Sequence, residues 1–306
     1  MFRVEGKMST FGGSHDTGMF FTVPIRNKNT RIAYYHAIGQ FLAWCERGGF
    51  RHLEDIEPIT VAAYIEQHPG SAPTIKQHMA AIRMFFSYLT EKGILAMNPA
   101  REVKTQRFSR KEGKTPAFAR AEVRQVLDSI EVYSVVDHRD KALLATLAYT
   151  CSRIGAVVSL KVQDYFQNGK RTVLRLRTKG GKEKEFPVHH LLEDILDSYL
   201  DASRLRAHPA GPLFPTTRGN SRELLERGMT RIDAARMLKR RLTKAAIVGA
   251  YSPHSFRATG LTRFLEEGGT LEGAQNIADH ADSRTTKLYD RRPQNVLRED
   301  VERIRY

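Results

Sequence analysis

Between Arg101 and Arg124 the chain carries eight Lys or Arg and three Glu, broken by Gly113 and Pro116, with little apolar periodicity. A hydrophobic core cannot run through such a stretch, so it divides the 306-residue chain into two separately folding parts, which its length also suggests. Ahead of it the apolar period is helical. Tyr34, Ile38, Phe41, Leu42 and Cys45 recur at helix spacing until Gly48 and Gly49. Thr60 can cap a short second helix through Val61 and Ile65 that Pro69 and Gly70 end. A third starts near Pro73 and lines up Ile75, Met79, Ile82, Phe86 and Leu89 before Gly93. This predicts a small all-helical domain over 25–104, preceded by a flexible tail over 1–24 that is rich in Gly, Ser and Thr, and followed by a basic linker over 105–116.

The part from 117 to 306 is mixed. Helices are predicted near Ala121 to Ile130 and from His138 to Tyr149, the second strongly apolar with Asp137 as its cap. Val173 to Arg177 and Glu183 to Val188 flank Lys179-Gly180-Gly181-Lys182, a β-hairpin signal with glycine at the tip. Two more helices, near Leu191 to Arg204 and Thr230 to Ala246, are separated by a loop rich in Pro and Gly. A short amphipathic helix carrying Val296, Leu297, Val301 and Ile304 closes the chain. The fold class is therefore mainly α with a small antiparallel β-sheet, an all-helical domain joined to a mixed α+β domain.

Charge narrows the partner. Forty-nine basic against 34 acidic side chains leave +15, which calls for a polyanion, with nucleic acid ahead of a membrane surface. The Thr230 helix concentrates the excess, setting Arg231, Arg236, Lys239, Arg240, Arg241 and Lys244 against a lone Asp233. Lys76 and Arg83 on the third helix, and Arg107 and Arg110 in the linker, are the further candidates for a DNA backbone. Cys45 and Cys151 make no CxxC pair and no disulfide framework, which fits a reducing compartment. No signal-peptide core and no run of the ~18 apolar residues needed for a membrane span is present. An intracellular, cytoplasmic protein without membrane contact is expected. Neither HExxH nor paired Cys/His ligands occur, so no metal and no cofactor are expected.

The stretch Ser252 to Tyr289 carries the chemistry. With Ser252 and Pro253 heading a helix, His254 and Arg257 fall three residues apart on one face, a pairing suited to a phosphate. His280 precedes Tyr289 by nine residues. Taken singly these residues say little. Arg153, between apolar runs, reads as half of a buried ion pair, Lys179 as a turn lysine, His254 as a structural histidine, and Tyr289 as one of eleven tyrosines. Their order along the chain says more. Arg153, Lys179, His254 with Arg257 at plus three, His280, and Tyr289 at plus nine resemble the active-site signature of the tyrosine recombinase family, also called phage-type integrases. The resemblance covers nearly the whole chain, since Leu213-Phe214-Pro215 and the basic helix leading into Ser252-Pro253-His254 are also similar to family segments.

The resemblance implies a helical core-binding domain and a tyrosine-recombinase catalytic domain. It also implies a site-specific recombinase that cuts and rejoins strands through a 3′-phosphotyrosyl intermediate, without metal or ATP. The physical case is that reversible strand breakage needs a protein nucleophile that conserves the bond energy. Tyr289 would take that part, Arg153 and Arg257 would grip the charged transition state by forked hydrogen bonds, and His280 would add a donor. Lys179 would protonate the leaving 5′ oxygen and, by resemblance, His254 would move the tyrosine proton. The implied partner is double-stranded DNA with short inverted-repeat core sites, bound by a homotetramer on two duplexes and by a monomer before assembly, in a prokaryotic nucleoid. Two positions depart from the family: Ala156 stands where an acidic residue usually braces the site, and Asp279 stands in place of the usual Gly before His280, where it is expected to point away. The alternatives are a type IB topoisomerase and a catalytically decayed DNA-binding protein.

Overall fold

The computed structural model describes residues 25–105, 113–177, 181–219, 221–292, 301, 302 and 304. The N-terminal tail, most of the linker with Arg107 and Arg110, the hairpin tip with Lys179, and nearly all of the C-terminal helix lie outside the described residues. The chain divides into two compact units, 1–109 and 110–306.

The first unit is helical. Helix α1 (Lys28–Arg47) starts where the Asn27 side chain accepts hydrogen bonds from the backbone N–H groups of Asn29 and Thr30, at 2.9 and 3.2 Å. Helix α2 (Pro58–Gln67) begins two residues before the expected Thr60 cap. Proline takes the first turn, where its missing N–H costs nothing, and Thr60 is buried inside the helix. Helix α3 (Ala72–Glu91) turns Met79, Ile82, Phe85, Phe86 and Leu89 inward against α1. Phe41 of α1 meets Tyr64 and Phe86 edge-on, with centroids 5.1 and 6.1 Å apart. Lys76 is exposed on α3. Arg83 is not on an open face: its Nε donates to the Ala100 carbonyl at 3.2 Å and its guanidinium reaches Val103, so it ties down the chain leaving α3.

The second unit has helices α4 (Glu122–Asp128), α5 (Val135–Thr150), α6 (Ile154–Val158), α7 (His190–Ser203), α8 (Arg231–Lys244), α9 (Pro253–Glu266), α10 (Leu271–Ala278) and α11 (Ser283–Lys287). Helix α5 is the spine. Ala142, Leu143, Leu144, Ala145, Thr146 and Leu147 are buried in succession, so it is covered on every side, with α7 and α9 among its neighbours. It starts three residues before the expected Asp137 cap would allow. Ser134 is the cap, and its hydroxyl donates to the Asp137 carboxylate at 2.6 Å. Strands β1 (Tyr165–Asn168), β2 (Arg171–Arg177) and β3 (Glu183–Pro187) form an antiparallel sheet in chain order, with Leu174 opposite Tyr165 on one side and Phe186 on the other. A second sheet pairs β4 (Pro215–Thr217) with β5 (Leu224–Gly228), within the stretch expected to be a loop. The architecture is mainly α with small antiparallel sheets. A separate small cluster of Cys151, Ala258, Leu261, Leu265, Ala274, Ala278 and Tyr289 packs α9, α10 and the end of α5 together.

An ion network joins α5 to α8. Asp140, fully buried, accepts from Arg139 at 2.6 Å, Arg240 at 3.0 Å and Arg241 at 2.7 Å, and Arg241 also reaches Asp137 at 2.7 Å. Arg241 was expected on DNA. It is buried with both its carboxylate partners in place, and its charge serves the fold, because a desolvated guanidinium needs such partners. Arg240 shares Asp140 but keeps half of its side chain exposed. Asp140→Ala leaves buried Arg139 without a carboxylate and Arg241 with Asp137 alone, and is expected to lower the unfolding free energy by about 3–5 kcal/mol. Arg240→Ala removes an exposed partner and is expected to cost under about 1 kcal/mol. Urea unfolding of the two variants checks the ordering, and equal losses would contradict it.

Candidate active site

Five of the six residues singled out in the sequence converge at one end of α9. Pro253 occupies its first turn and Ser252 and Ser255 cap each other, which fixes the helix start and sets His254 and Arg257 one turn apart. Tyr289 follows the short helix α11 and is pinned by its backbone. Its N–H donates to Thr286 at 3.0 Å, the Thr262 hydroxyl donates to its carbonyl at 3.1 Å, and the Gly113 N–H donates to the carbonyl of Leu288 at 3.0 Å. The phenol oxygen lies 3.0 Å from His254 Nε2, and the ring stacks on His280, with centroids 5.8 Å apart and planes 13° apart. Lys179, the sixth, lies outside the described residues.

Arg257 is 2% exposed. One terminal nitrogen donates to the Cys151 carbonyl at 2.8 Å and the other to the Ala278 carbonyl at 2.5 Å, while its buried Nε–H has no partner among the described residues. The two acceptors sit at the ends of α5 and α10, and both helices terminate in a left-handed residue, Cys151 at φ +52° and Asp279 at φ +51°. That conformation costs a non-glycine residue roughly 1–2 kcal/mol. Arg153 caps α6 and is exposed, not half of a buried pair, and it makes no ion pair with a described carboxylate.

Arg153, His254 and Arg257 line a cavity of about 450 Å³ together with Arg177, Lys184 and Asp279. Asp279 was expected to turn away, yet it is half-buried at the cavity wall. Lys184, on β3, reaches the Asn276 carbonyl and anchors that strand to α10. Arg231, the first residue of α8, also borders the cavity, whereas Arg236, Lys239 and Lys244 are exposed further along the same helix. Sequence reasoning missed three supports. Thr286 Oγ1 lies 2.9 Å from His280 Nδ1, Thr262 holds the backbone of Tyr289, and Cys151 supplies a carbonyl to Arg257. Only Thr286 had a signal, its place in the segment leading to Tyr289.

The electrostatics follow from crowding cations into a dry corner. Burial, then the charges of Arg257 and Arg153, pulls His280 down to about 4. Loss of water followed by the same two arginines lowers His254, whose outer edge remains exposed. Arg257 itself is lowered by burial and by Arg153, and the phenol of Tyr289 partly offsets this. Both imidazoles are thus neutral near pH 7, and the fixed positive charge belongs to the guanidiniums. A site with excess cation and a phenol held against a neutral imidazole suits a tetrahedral anion and proton transfer from the phenol. Among the described residues no three His, Cys, Asp or Glu side chains gather as metal ligands, and no helix is long and apolar enough to cross a membrane.

Known proteins resemble this chain in sequence and in fold. The chain is 28% identical over 268 residues to tyrosine recombinase XerD of Pseudomonas aeruginosa, covering 85% of this chain and 86% of that relative. Its fold is similar to that of XerH site-specific recombinase bound to palindromic difH substrate, with a TM-score of 0.70, 18% identity, and coverage of 85% and 75% of the two chains. It is also similar to a lambda integrase tetramer bound to a Holliday junction, with a TM-score of 0.64, 16% identity, and coverage of 92% and 78%. Residues 25–93 match the phage integrase N-terminal SAM-like domain and residues 117–295 match the phage integrase family, to which this chain belongs.

Proposed function

We propose that this protein is a site-specific DNA recombinase that cleaves and rejoins strands through a 3′-phosphotyrosyl intermediate. The observation that carries the reading is the 3.0 Å approach of His254 Nε2 to the Tyr289 hydroxyl, beside the buried Arg257 held by two main-chain carbonyls. In the cleavage step the Tyr289 oxygen attacks phosphorus, the bond to the 5′ oxygen breaks, and neutral His254 takes the phenolic proton. Arg257 and Arg153 stabilise the charge that develops on the non-bridging oxygens. A Thr286 hydroxyl that donates to His280 Nδ1 leaves the ring proton on Nε2, so His280 offers a donor while remaining neutral. Lys179, which falls in sequence between β2 and β3, is assigned to protonate the leaving oxygen. The helical unit and the exposed cations Arg231, Arg236, Lys239 and Lys244 hold the duplex. By analogy with the lambda integrase tetramer on a Holliday junction, four copies act on two duplexes carrying short inverted repeats.

The direct test uses a nicked duplex bearing inverted repeats found near the gene. Wild type is expected to form a denaturant-resistant covalent adduct unaffected by chelator. Tyr289→Phe should bind without forming it, and Arg153→Ala should slow it by roughly 10²- to 10³-fold. An adduct that survives Tyr289→Phe would move the nucleophile elsewhere, and plasmid relaxation without strand exchange would favour a topoisomerase.

The titration of His280 gives a second test. Its folded value of about 4 lies below the ~6.5 of an unfolded histidine, so the unfolded chain takes up the proton first. The group therefore favours the fold above pH 6.5 and loses that contribution as pH falls toward 4. Between pH 7 and pH 5 the loss is about 2 kcal/mol. Urea unfolding of wild type and His280→Gln should show a steeper fall for wild type. Parallel curves would contradict the assignment.

A further inference from the structure

Two local preferences are reversed at a single contact. Cys151 adopts a left-handed conformation at the end of α5, where glycine fits without steric cost. Gly260 lies within α9, where alanine would make the better helix. The reason is their mutual approach. A Cβ built on Gly260 would fall 2.3 Å from Cys151 Sγ, far inside contact distance, and 3.6 Å from the Ala148 carbonyl. The sulfur occupies the space that Gly260 leaves open. It is buried in the small cluster with Ala258, Leu261 and Tyr289, and burial pushes its thiol up to about 11, so it serves as packing and not as a reactive thiolate.

The consequence falls on Arg257. Gly260 is three residues after Arg257 and on the same side of α9, so the surface that meets the sulfur also carries the guanidinium. That guanidinium donates to the carbonyl of Cys151 itself, at 2.8 Å. Side chain and carbonyl of one residue therefore set both the spacing between the two helices and the place of the arginine. We propose that Cys151 and Gly260 form a positioning pair that fixes Arg257 for phosphate binding. Neither residue touches the reacting atoms. The proposal rests on the recombinase reading for its activity readout alone.

The test is a swap. Gly260→Ala forces Cys151, whose carbonyl holds Arg257, to shift, and should slow adduct formation on nicked duplex by at least about tenfold while DNA affinity is kept, because small displacements of an oriented group are costly. Cys151→Gly combined with Gly260→Ala moves the volume from one side of the contact to the other, and should return the rate to within about threefold of wild type, the coupling expected of residues in contact. The second readout needs no activity. In a sample labelled with ¹⁵N-arginine, the Nε–H resonance of Arg257, assigned by its loss in Arg257→Lys, should move in Gly260→Ala and return in the double variant. If Gly260→Ala does not fold, recovery of folding and of the resonance in the double variant supports the pair. A Gly260→Ala protein that matches wild type in both readouts, or a double variant no better than Gly260→Ala, overturns the proposal. Absence of an adduct with wild type would count against the recombinase reading, while the Arg257 resonance would still decide this one.

Discussion

The guanidinium of Arg257 is the point on which the second unit turns. It is buried, it stands beside another arginine, and it has no carboxylate to neutralise it; its acceptors are two main-chain carbonyls at the ends of α5 and α10. A carbonyl satisfies a donor without cancelling the charge, so the positive field stays available to an anion. Contrast Arg241, equally buried, whose charge two aspartates absorb. The same side-chain type thus does opposite jobs within one unit, according to whether its partners are amides or carboxylates.

That arrangement also explains how the histidines are kept neutral. Burial of the two imidazoles is the larger cause, and the nearby charges of buried Arg257 and exposed Arg153 add to it, so both His254 and His280 have their pKa values held down. A neutral imidazole next to the phenol can accept a proton, which an imidazolium could not. In the proposed mechanism the arginines thus act twice, once as donors to the anion and once, after burial, by helping to keep the neighbouring base neutral.

The helices of both units could be read from the sequence because apolar period and end signals coincide there, as with Asn29 to Gly48 and Ala72 to Glu91. The fixed spacings of His254 to Arg257 and His280 to Tyr289 survive folding because a single helix turn and a short helical segment carry them. Other features depended on long-range partners. Strand β1 has no pattern of its own and exists because β2 pairs with it. Arg83 and Arg241 looked like exposed cations because helical charge counting cannot see the carbonyls of Ala100 and Val103 or the carboxylate of Asp140, 101 residues away. Cys151 gave no hint of its backbone conformation, since the sequence there offers no glycine to suggest a left-handed turn.

Tyr289 belongs to a hydrophobic cluster as well as to the site, with only 9% of its surface exposed. Two demands thus meet on one side chain. Phenylalanine would satisfy the packing and lack the oxygen, whereas serine or cysteine would bring a nucleophile and leave a void where the ring had been, at a cost of about 3–5 kcal/mol for an aromatic truncated in a core. Among the ordinary amino acids tyrosine alone meets both the packing and the nucleophile that the proposed mechanism asks of this position.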